Sequence, residues 1–159
     1  MKTKQKQQPK EDGFTLIEIL VVIGLIAILA AIVIIAINPA RQFAQGRNSQ
    51  RTSNVNAILN GVGQYIADNK GNLPTQITSS VQNVSKGGAD LCAVLVPTYL
   101  PSLVVDPNVN SGPIQAADCG TAYDTGYQIS HDATNRVTVC APNAVEPAIP
   151  GSAIICVTR

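Results

Sequence analysis

Charged and aromatic side chains are scarce in this sequence of 159 residues. Asp, Glu, Lys and Arg together make up 13%, aromatic residues make up 4%, and Trp is absent. The formal net charge of +1 gives no electrostatic basis for binding nucleic acid. Hydrophobic residues reach 45%, which is typical of a chain that contains a membrane segment.

The residue types that usually carry catalysis are scarce as well. His131 is the single histidine, and it stands beside Asp132 in a predicted turn, where we expect a solvated side chain. The sequence has no P-loop, no dinucleotide-binding glycine pattern and no C-x-x-C pair. We therefore expect no enzyme activity, no catalytic residue, no metal site and no cofactor. The scattered aspartates are predicted to cap turns rather than to bind calcium: Asp90, Asp106, Asp118, Asp124 and Asp132.

A long apolar segment follows a polar leader. From Phe14 to Ile37 the sequence contains two polar side chains, Thr15 and Glu18. A helix over this range is roughly 36 Å long and can cross a bilayer core of about 30 Å. Within lipid, a helix is the only single-span structure that satisfies its own backbone. The sequence therefore predicts one membrane helix.

The charges of the leader favour a cytoplasmic location for that end of the segment. Its basic residues outnumber Glu11 and Asp12, and they are Lys2, Lys4, Lys6 and Lys10. Arginines also follow the segment, at positions 41, 47 and 51, so charge alone does not determine the orientation. The cysteines of the distal half give stronger support, because disulfides form in oxidising compartments.

Two other interpretations of the apolar segment are a cleaved secretory signal and a plain single-span anchor. A signal would end near Ala44-Gln45-Gly46, but the apolar run exceeds the usual core of about 7–15 residues. Neither interpretation accounts for Glu18, because a carboxylate at membrane depth costs about 2.5–3.5 kcal/mol and needs a partner. The partner could be the α-amine of a chain cut after Gly13; alternatively, the carboxylate reaches the interface or is protonated.

The order Gly13-Phe14-Thr15-Leu16-Ile17-Glu18 resembles the prepilin processing site of type IV pilins and type II secretion pseudopilins. This resemblance implies that a prepilin peptidase removes residues 1–13 and that the new amine of Phe14 is methylated. It also implies that Glu18 pairs with the amine of an adjacent subunit during assembly. Gly13, Phe14 and Glu18 are therefore the predicted processing and assembly residues.

The resemblance further implies a structural subunit of a homo-oligomeric helical filament, assembled through residues 14–38. Its partners would be the prepilin peptidase and a membrane assembly platform. The subunit would lie in the cytoplasmic membrane before assembly and in an extracytoplasmic filament or at the cell surface afterwards. Surface pili and secretion pseudopili fit the residues equally well. The alternative in another class is a single-span, membrane-anchored binding or sensor domain outside the cytoplasm.

A second helical segment, residues 39–70, is predicted to support the distal domain. Pro39 removes a helix hydrogen bond and disfavours helix at Asn38, so we predict a kink or a local unwinding there. An apolar stripe at helical spacing follows a polar stretch, and its members are Val55, Ile58, Leu59, Val62, Tyr65 and Ile66. Asn69-Lys70-Gly71 resembles a helix end with a C′ glycine.

Residues 71–159 are predicted to form a loop-rich β head. Residues 74–123 are rich in turn formers and are predicted to be mainly loop. Three strands are predicted by their Val, Ile, Thr and Tyr content, over Gly126–Ser130, Arg136–Cys140 and Ala153–Thr158. The expected fold is α+β and pilin-like: a long N-terminal helix packed on a small antiparallel sheet of three or four strands.

Four cysteines lie in the head, at positions 92, 119, 140 and 156. An even number in a small exported domain predicts two disulfides, for which three connectivities exist. If the last two strands pair across Ala141–Ser152, Cys140 lies opposite Ala153 rather than Cys156. Because bridged Cα atoms lie within about 7 Å, this offset favours bridges from Cys140 and Cys156 to Cys92 and Cys119.

Overall fold

The computed structural model describes residues 13–159. The predicted cytoplasmic leader, including its four lysines, lies outside the described residues except for Gly13. The chain divides into two compact units after Pro39. The first contains the apolar helix, and the second, residues 40–159, contains the head.

Helix α1 spans Leu16–Ala36 and, apart from Glu18 in its first turn, consists of apolar residues on every side. Its described side chains are all exposed, and residues Leu16–Ile34 are long and apolar enough to cross a membrane. The helix ends with Ile37 in an extended conformation. Asn38 is not helical, and α2 begins at Pro39, where the missing N–H costs nothing because the first turn of a helix leaves it unpaired.

Helix α2 spans Pro39–Asp68 and supports the head. The predicted apolar stripe faces the core, where Val55, Ile58, Leu59 and Val62 are buried. The C-terminus closes with a hydrogen bond from the Gly71 amide to the Ile66 carbonyl. Lys70, with φ of 57°, occupies the left-handed C′ position that the sequence pattern assigned to glycine. The predicted helix end is therefore correct, but its C′ residue is one position earlier.

The head contains a four-stranded antiparallel sheet in the order β1-β2-β3-β4. The strands are β1 (Gln82–Ser85), β2 (Asp124–His131), β3 (Val137–Ala141) and β4 (Ile155–Thr158). Alternate residues such as Val84, Tyr127 and Val139 are buried and share one core with the apolar stripe of α2. The predicted α+β, pilin-like arrangement of an N-terminal helix, a second helix and a small antiparallel sheet is confirmed.

Strand β1 lies in the segment that the sequence predicted to be mainly loop. Its four residues include one apolar side chain, Val84, so the sequence contains no alternation that would mark a strand. The strand exists because it pairs with β2, from Gln82 opposite Ile129 to Ser85 opposite Asp124. The same segment contains the short helix α3, Cys92–Leu95.

The disulfides connect Cys92 with Cys119 and Cys140 with Cys156. Two disulfides were predicted correctly, but the favoured pairing between the two halves of the head was wrong. Strand β4 begins at Ile155 rather than Ala153, and Ala141 pairs with Ile155. Cys140 and Cys156 are therefore directly opposite each other, with Cα atoms 4.1 Å apart. The register differs from the prediction by three residues, because β3 ends one residue later and β4 begins two residues later than predicted.

Candidate processing and assembly site

The predicted cleavage position lies immediately before α1. Gly13, Phe14 and Thr15 are exposed and outside the helix, and the side chain of Phe14 is 85% exposed. A peptidase requires an extended, accessible bond, because a helical backbone cannot enter its active site. The Gly13–Phe14 bond is exposed and lies outside the helix, and no described atom lies within 4 Å of the position that a Cβ at Gly13 would take.

Thr15 and Glu18 form a capping box at the start of α1. The Thr15 amide donates to Glu18 Oε2 over 2.8 Å, and the Thr15 hydroxyl donates to the same oxygen over 2.7 Å. In return the Glu18 amide donates a hydrogen bond to Thr15 Oγ1 over 3.3 Å. Glu18 thus has a local role that the sequence analysis did not recognise, although the spacing T-x-x-E before an apolar run is the known sign of a capping box.

The capping box determines where the carboxylate lies. It holds Glu18 within the first turn of α1, where the partial positive charge of the helix N-terminus favours an anion. Phe14 directly precedes the cap residue, so the three predicted processing and assembly residues lie within one short segment. Pro39 is the first residue of α2, and the four cysteines are in the head. None of these five belongs to the processing segment.

The head contains a buried ionic network that the sequence analysis did not predict. The Arg51 side chain is fully buried and makes two hydrogen bonds to Asp106, from Nε over 2.7 Å and from Nη2 over 3.1 Å. Its Nη1 donates to Glu146 over 2.6 Å and to Asn48 over 2.8 Å. Arg47 binds the same glutamate through both carboxylate oxygens, each at 2.7 Å. Two arginines and two carboxylates therefore neutralise each other.

Further polar contacts extend this network into the core. Asn54 is buried and donates to the Val105 carbonyl over 3.2 Å and to the Tyr127 hydroxyl over 2.9 Å. Arg47, Arg51 and Asn54 continue the apolar stripe of α2 toward its N-terminus at i, i+4 and i+7. Arg47 and Arg51 are like charges at i and i+4, which repel each other unless an acid pairs with both. This spacing was the one feature of the sequence that indicated the network.

Hydrogen bonds and burial change the pKa values of the network. Hydrogen bonds from Arg47 and then from Arg51 lower the pKa of Glu146 from 4.5 to about 2, against the opposing effect of burial. Burial raises the pKa of Tyr127 to about 12. Both groups therefore keep one charge state at neutral pH. Within residues 13–159, no group of three or more His, Cys, Asp or Glu side chains could hold a metal ion. The ion pairs from Arg47 and Arg51 to Glu146 and Asp106 attach α2 to the head.

The comparisons with known proteins agree with the geometry of the N-terminal segment. No curated protein and no solved structure is significantly similar to this chain. Residues 8–37 match the family model described as the prokaryotic N-terminal methylation motif, which contains the Gly13–Phe14 bond, the capping box and α1. The chain therefore carries the prepilin-type signature that characterises type IV pilins and pseudopilins.

Proposed function

We propose that this protein is a structural subunit of a type IV pilus-like or type II secretion-like filament. The observation that carries the proposal is the methylation motif at residues 8–37, continued by a helix that is apolar on all sides. A helix of this kind is stable only in a membrane or among other helices. The membrane would hold the subunit before assembly, and neighbouring copies of α1 would surround it in the filament.

Processing precedes assembly in this proposal. A prepilin peptidase hydrolyses the exposed Gly13–Phe14 bond and releases the basic leader into the cytoplasm. Methylation of the new amine at Phe14 keeps its positive charge. The mature chain therefore begins with a cation directly before the capped turn that contains Glu18. The head, with its two disulfides, lies on the opposite side of the membrane, in an oxidising compartment.

Glu18 then pairs with the methylated Phe14 amine of an adjacent subunit. The assembly platform moves the incoming subunit into the position where this pair forms. A carboxylate has about four lone-pair sites, so the bonds from Thr15 leave capacity for an ammonium group. An ion pair formed on entry removes much of the cost of an isolated carboxylate in an apolar helix bundle. The capping box prepares this step, because it fixes the carboxylate before the partner arrives.

N-terminal sequencing of the mature protein tests the proposal. The chain would be expressed with a prepilin peptidase and an assembly platform, and membrane and sheared filament fractions would be sequenced separately. We expect N-methylated Phe14 in both fractions. A terminus near Gly46 would indicate ordinary signal-peptidase processing and would contradict the proposal. A Phe14 terminus confined to membranes, with assembled filaments that lack the protein, would instead favour an anchored binding or sensor domain.

A further inference from the structure

The two disulfides of the head lie in different environments. Cys92 is fully buried and Cys119 is 9% exposed, and both belong to the hydrophobic core. Cys140 is half-buried and Cys156 is exposed. The Cys92–Cys119 bridge is therefore shielded by the packing of the head, whereas the Cys140–Cys156 bridge has one exposed cysteine.

The exposure of Cys156 follows from the pleat of β4. Side chains along a strand alternate between the two faces of a sheet. In β4, Ile155 and Val157 are half-buried and pack against the core, so Cys156 and Thr158 point to the outer face. Among the strands that the structure describes, β4 is at one end of the sheet order. An incoming molecule can therefore reach Cys156 without separating two strands.

The buried bridge is surrounded by the head on several sides. Cys92 begins helix α3, and its amide donates a hydrogen bond to the Tyr123 hydroxyl over 3.1 Å. The carbonyl of Cys119 accepts a hydrogen bond from Lys86 Nζ over 2.9 Å. A thiolate must approach a disulfide along the sulfur–sulfur axis. At this bridge that approach requires local opening of the core, which costs free energy up to that of global unfolding.

We propose that Cys156 is a thiol-exchange site for an external dithiol of the thiol–disulfide oxidoreductase class. The thiolate of the dithiol attacks Cys156 Sγ, a mixed disulfide forms, and the bond to Cys140 breaks with Cys140 leaving as a thiolate that takes up a proton. The second thiol of the reagent then attacks the mixed disulfide and releases Cys156 as a thiol. The dithiol loses two electrons and becomes a disulfide, and the Cys140–Cys156 bridge gains them.

Reduction at this site leaves the head folded and is reversible. Strand β4 remains paired with β3 from Thr138 opposite Thr158 to Ala141 opposite Ile155. Arg159 also donates hydrogen bonds to Asn56 and Asn60 of α2, which hold the end of the strand. The two thiols therefore stay opposite each other, and an oxidant can restore the bridge. This inference concerns the folded head and does not depend on filament assembly.

Timed reduction of the folded chain tests the proposal. The full chain, exported and purified in detergent, would be treated with dithiothreitol at neutral pH, quenched with N-ethylmaleimide and mapped by peptide mass spectrometry. We expect Cys140 and Cys156 to be labelled together at least tenfold faster than Cys92 and Cys119. Equal rates, or faster opening of the buried bridge, would overturn the proposal. The same chain in guanidinium is the control, and there the difference should disappear.

A trapping experiment identifies the attacked sulfur. The reagent would be a thioredoxin whose resolving cysteine is replaced by serine, so that the mixed disulfide persists. We expect a covalent adduct at Cys156 and none with the double variant Cys140→Ser/Cys156→Ser, which retains the buried bridge as an internal negative control. An adduct at Cys140, at Cys92 or at Cys119 would contradict the assignment, as would failure to form any adduct while dithiothreitol reduces the exposed bridge.

Discussion

At the scale of single residues, Glu18 combines two roles that the sequence alone does not separate. The charge is costly in an apolar segment and indicates a partner, and the side chain also caps α1 through Thr15. Glutamine preserves the capping role, because capping boxes use Glu or Gln at this position. It removes the charge that pairing with an amine requires. The two roles can therefore be tested independently.

We predict that Glu18→Gln yields a cleaved, membrane-resident subunit whose incorporation into filaments falls at least tenfold. The neutral amide makes membrane insertion easier and keeps the cap, so neither effect explains the loss. Thr15→Val is the matched control, because it removes the capping hydroxyl and retains the charge, and it should assemble better than Glu18→Gln. Immunoblots of sheared and membrane fractions measure the ratio. Normal assembly of Glu18→Gln would show that capping is the relevant role.

Gly13 is the residue that determines processing in this interpretation. We predict that Gly13→Val blocks cleavage, because a β-branched side chain before the scissile bond obstructs the peptidase and restricts the extended backbone. Gly13→Ala, which adds a single methyl group, should still be cleaved, at a reduced rate. Mass spectrometry of the membrane-bound chain distinguishes the precursor from the product. Complete processing of the valine variant would place the cleavage elsewhere.

At the scale of elements, α2 is attached to the head by two different means. Its second half buries an apolar stripe, which the helical spacing of Val55, Ile58, Leu59 and Val62 predicted. Its first half is attached through the Arg47–Glu146–Arg51–Asp106 network. A sequence of polar residues in a helix normally indicates a solvated face, so this second attachment was not predicted. The two carboxylates that pair with Arg51, those of Asp106 and Glu146, are 55 and 95 positions away from it in the sequence. Only the fold brings the three side chains together.

We predict that Arg51→Ala destabilises the head by about 3–5 kcal/mol, because it leaves two buried carboxylates without their shared cation. Arg51→Lys should also be strongly destabilised, since one ammonium cannot reproduce bonds from three guanidinium nitrogens. Arg47→Ala is the matched control, and its effect should be smaller because that side chain is one-third exposed. Chemical unfolding of the folded chain measures all three. A loss for Arg51→Ala no larger than that for Arg47→Ala would contradict the assignment.

The network also predicts a dependence of stability on pH. The pKa of Glu146 is about 2 in the folded chain and 4.5 ordinarily. A carboxyl with a lowered folded pKa stabilises the fold above its unfolded pKa, and this contribution is lost as the pH falls from about 4.5 toward 2. One pKa unit corresponds to about 1.4 kcal/mol, so the loss is at most about 3.5 kcal/mol.

The comparison that isolates this effect is the Glu146→Gln variant. Other acids contribute in the same range, since hydrogen bonds from Thr134 and Arg136 lower the pKa of Asp132. We therefore expect both proteins to lose stability on acidification, but the unmodified chain to lose more between pH 4.5 and pH 2. Thermal unfolding at half-unit pH steps measures how steeply the stability of each protein falls with pH. Parallel slopes would exclude Glu146 as the source.

The strands show which parts of the sheet could be predicted. β2 and β3 were predicted from their Val, Ile, Thr and Tyr content, and in the structure Asp132 accepts hydrogen bonds from the Thr134 and Arg136 amides in the turn between them. β1 has one apolar residue and exists through its pairing with β2, which is a tertiary effect. The register of β3 with β4 depends on where the long connection ends. The predicted β3 ended one residue too early and the predicted β4 began two residues too early, and together these errors shifted the register by three residues and gave the wrong disulfide pairing.

At the scale of the whole molecule, the buried hydrophobic residues are confined to one unit. Within residues 13–159 they run from Ala44 to Ala144, and the described side chains of α1 are exposed. The fold of the N-terminal helix therefore depends on its surroundings, which are lipid or other helices, rather than on contacts with the head. For this reason the helix was predictable from composition alone. The head is specified by long-range contacts, and its loop-rich part was the least predictable.

The final prediction is that residues 40–159, exported without the leader and α1, fold as a soluble monomer. All the buried hydrophobic residues of the described part of the chain, the ionic network and both disulfides remain in this fragment. A domain of this size is stable by only about 5–15 kcal/mol, and each disulfide contributes about 2–4 kcal/mol. The oxidised fragment should therefore unfold cooperatively, and the reduced fragment at a lower temperature. Light scattering measures whether the fragment is monomeric, and circular dichroism measures its unfolding. A molten or aggregated oxidised fragment would show that α1 is required for the head to fold.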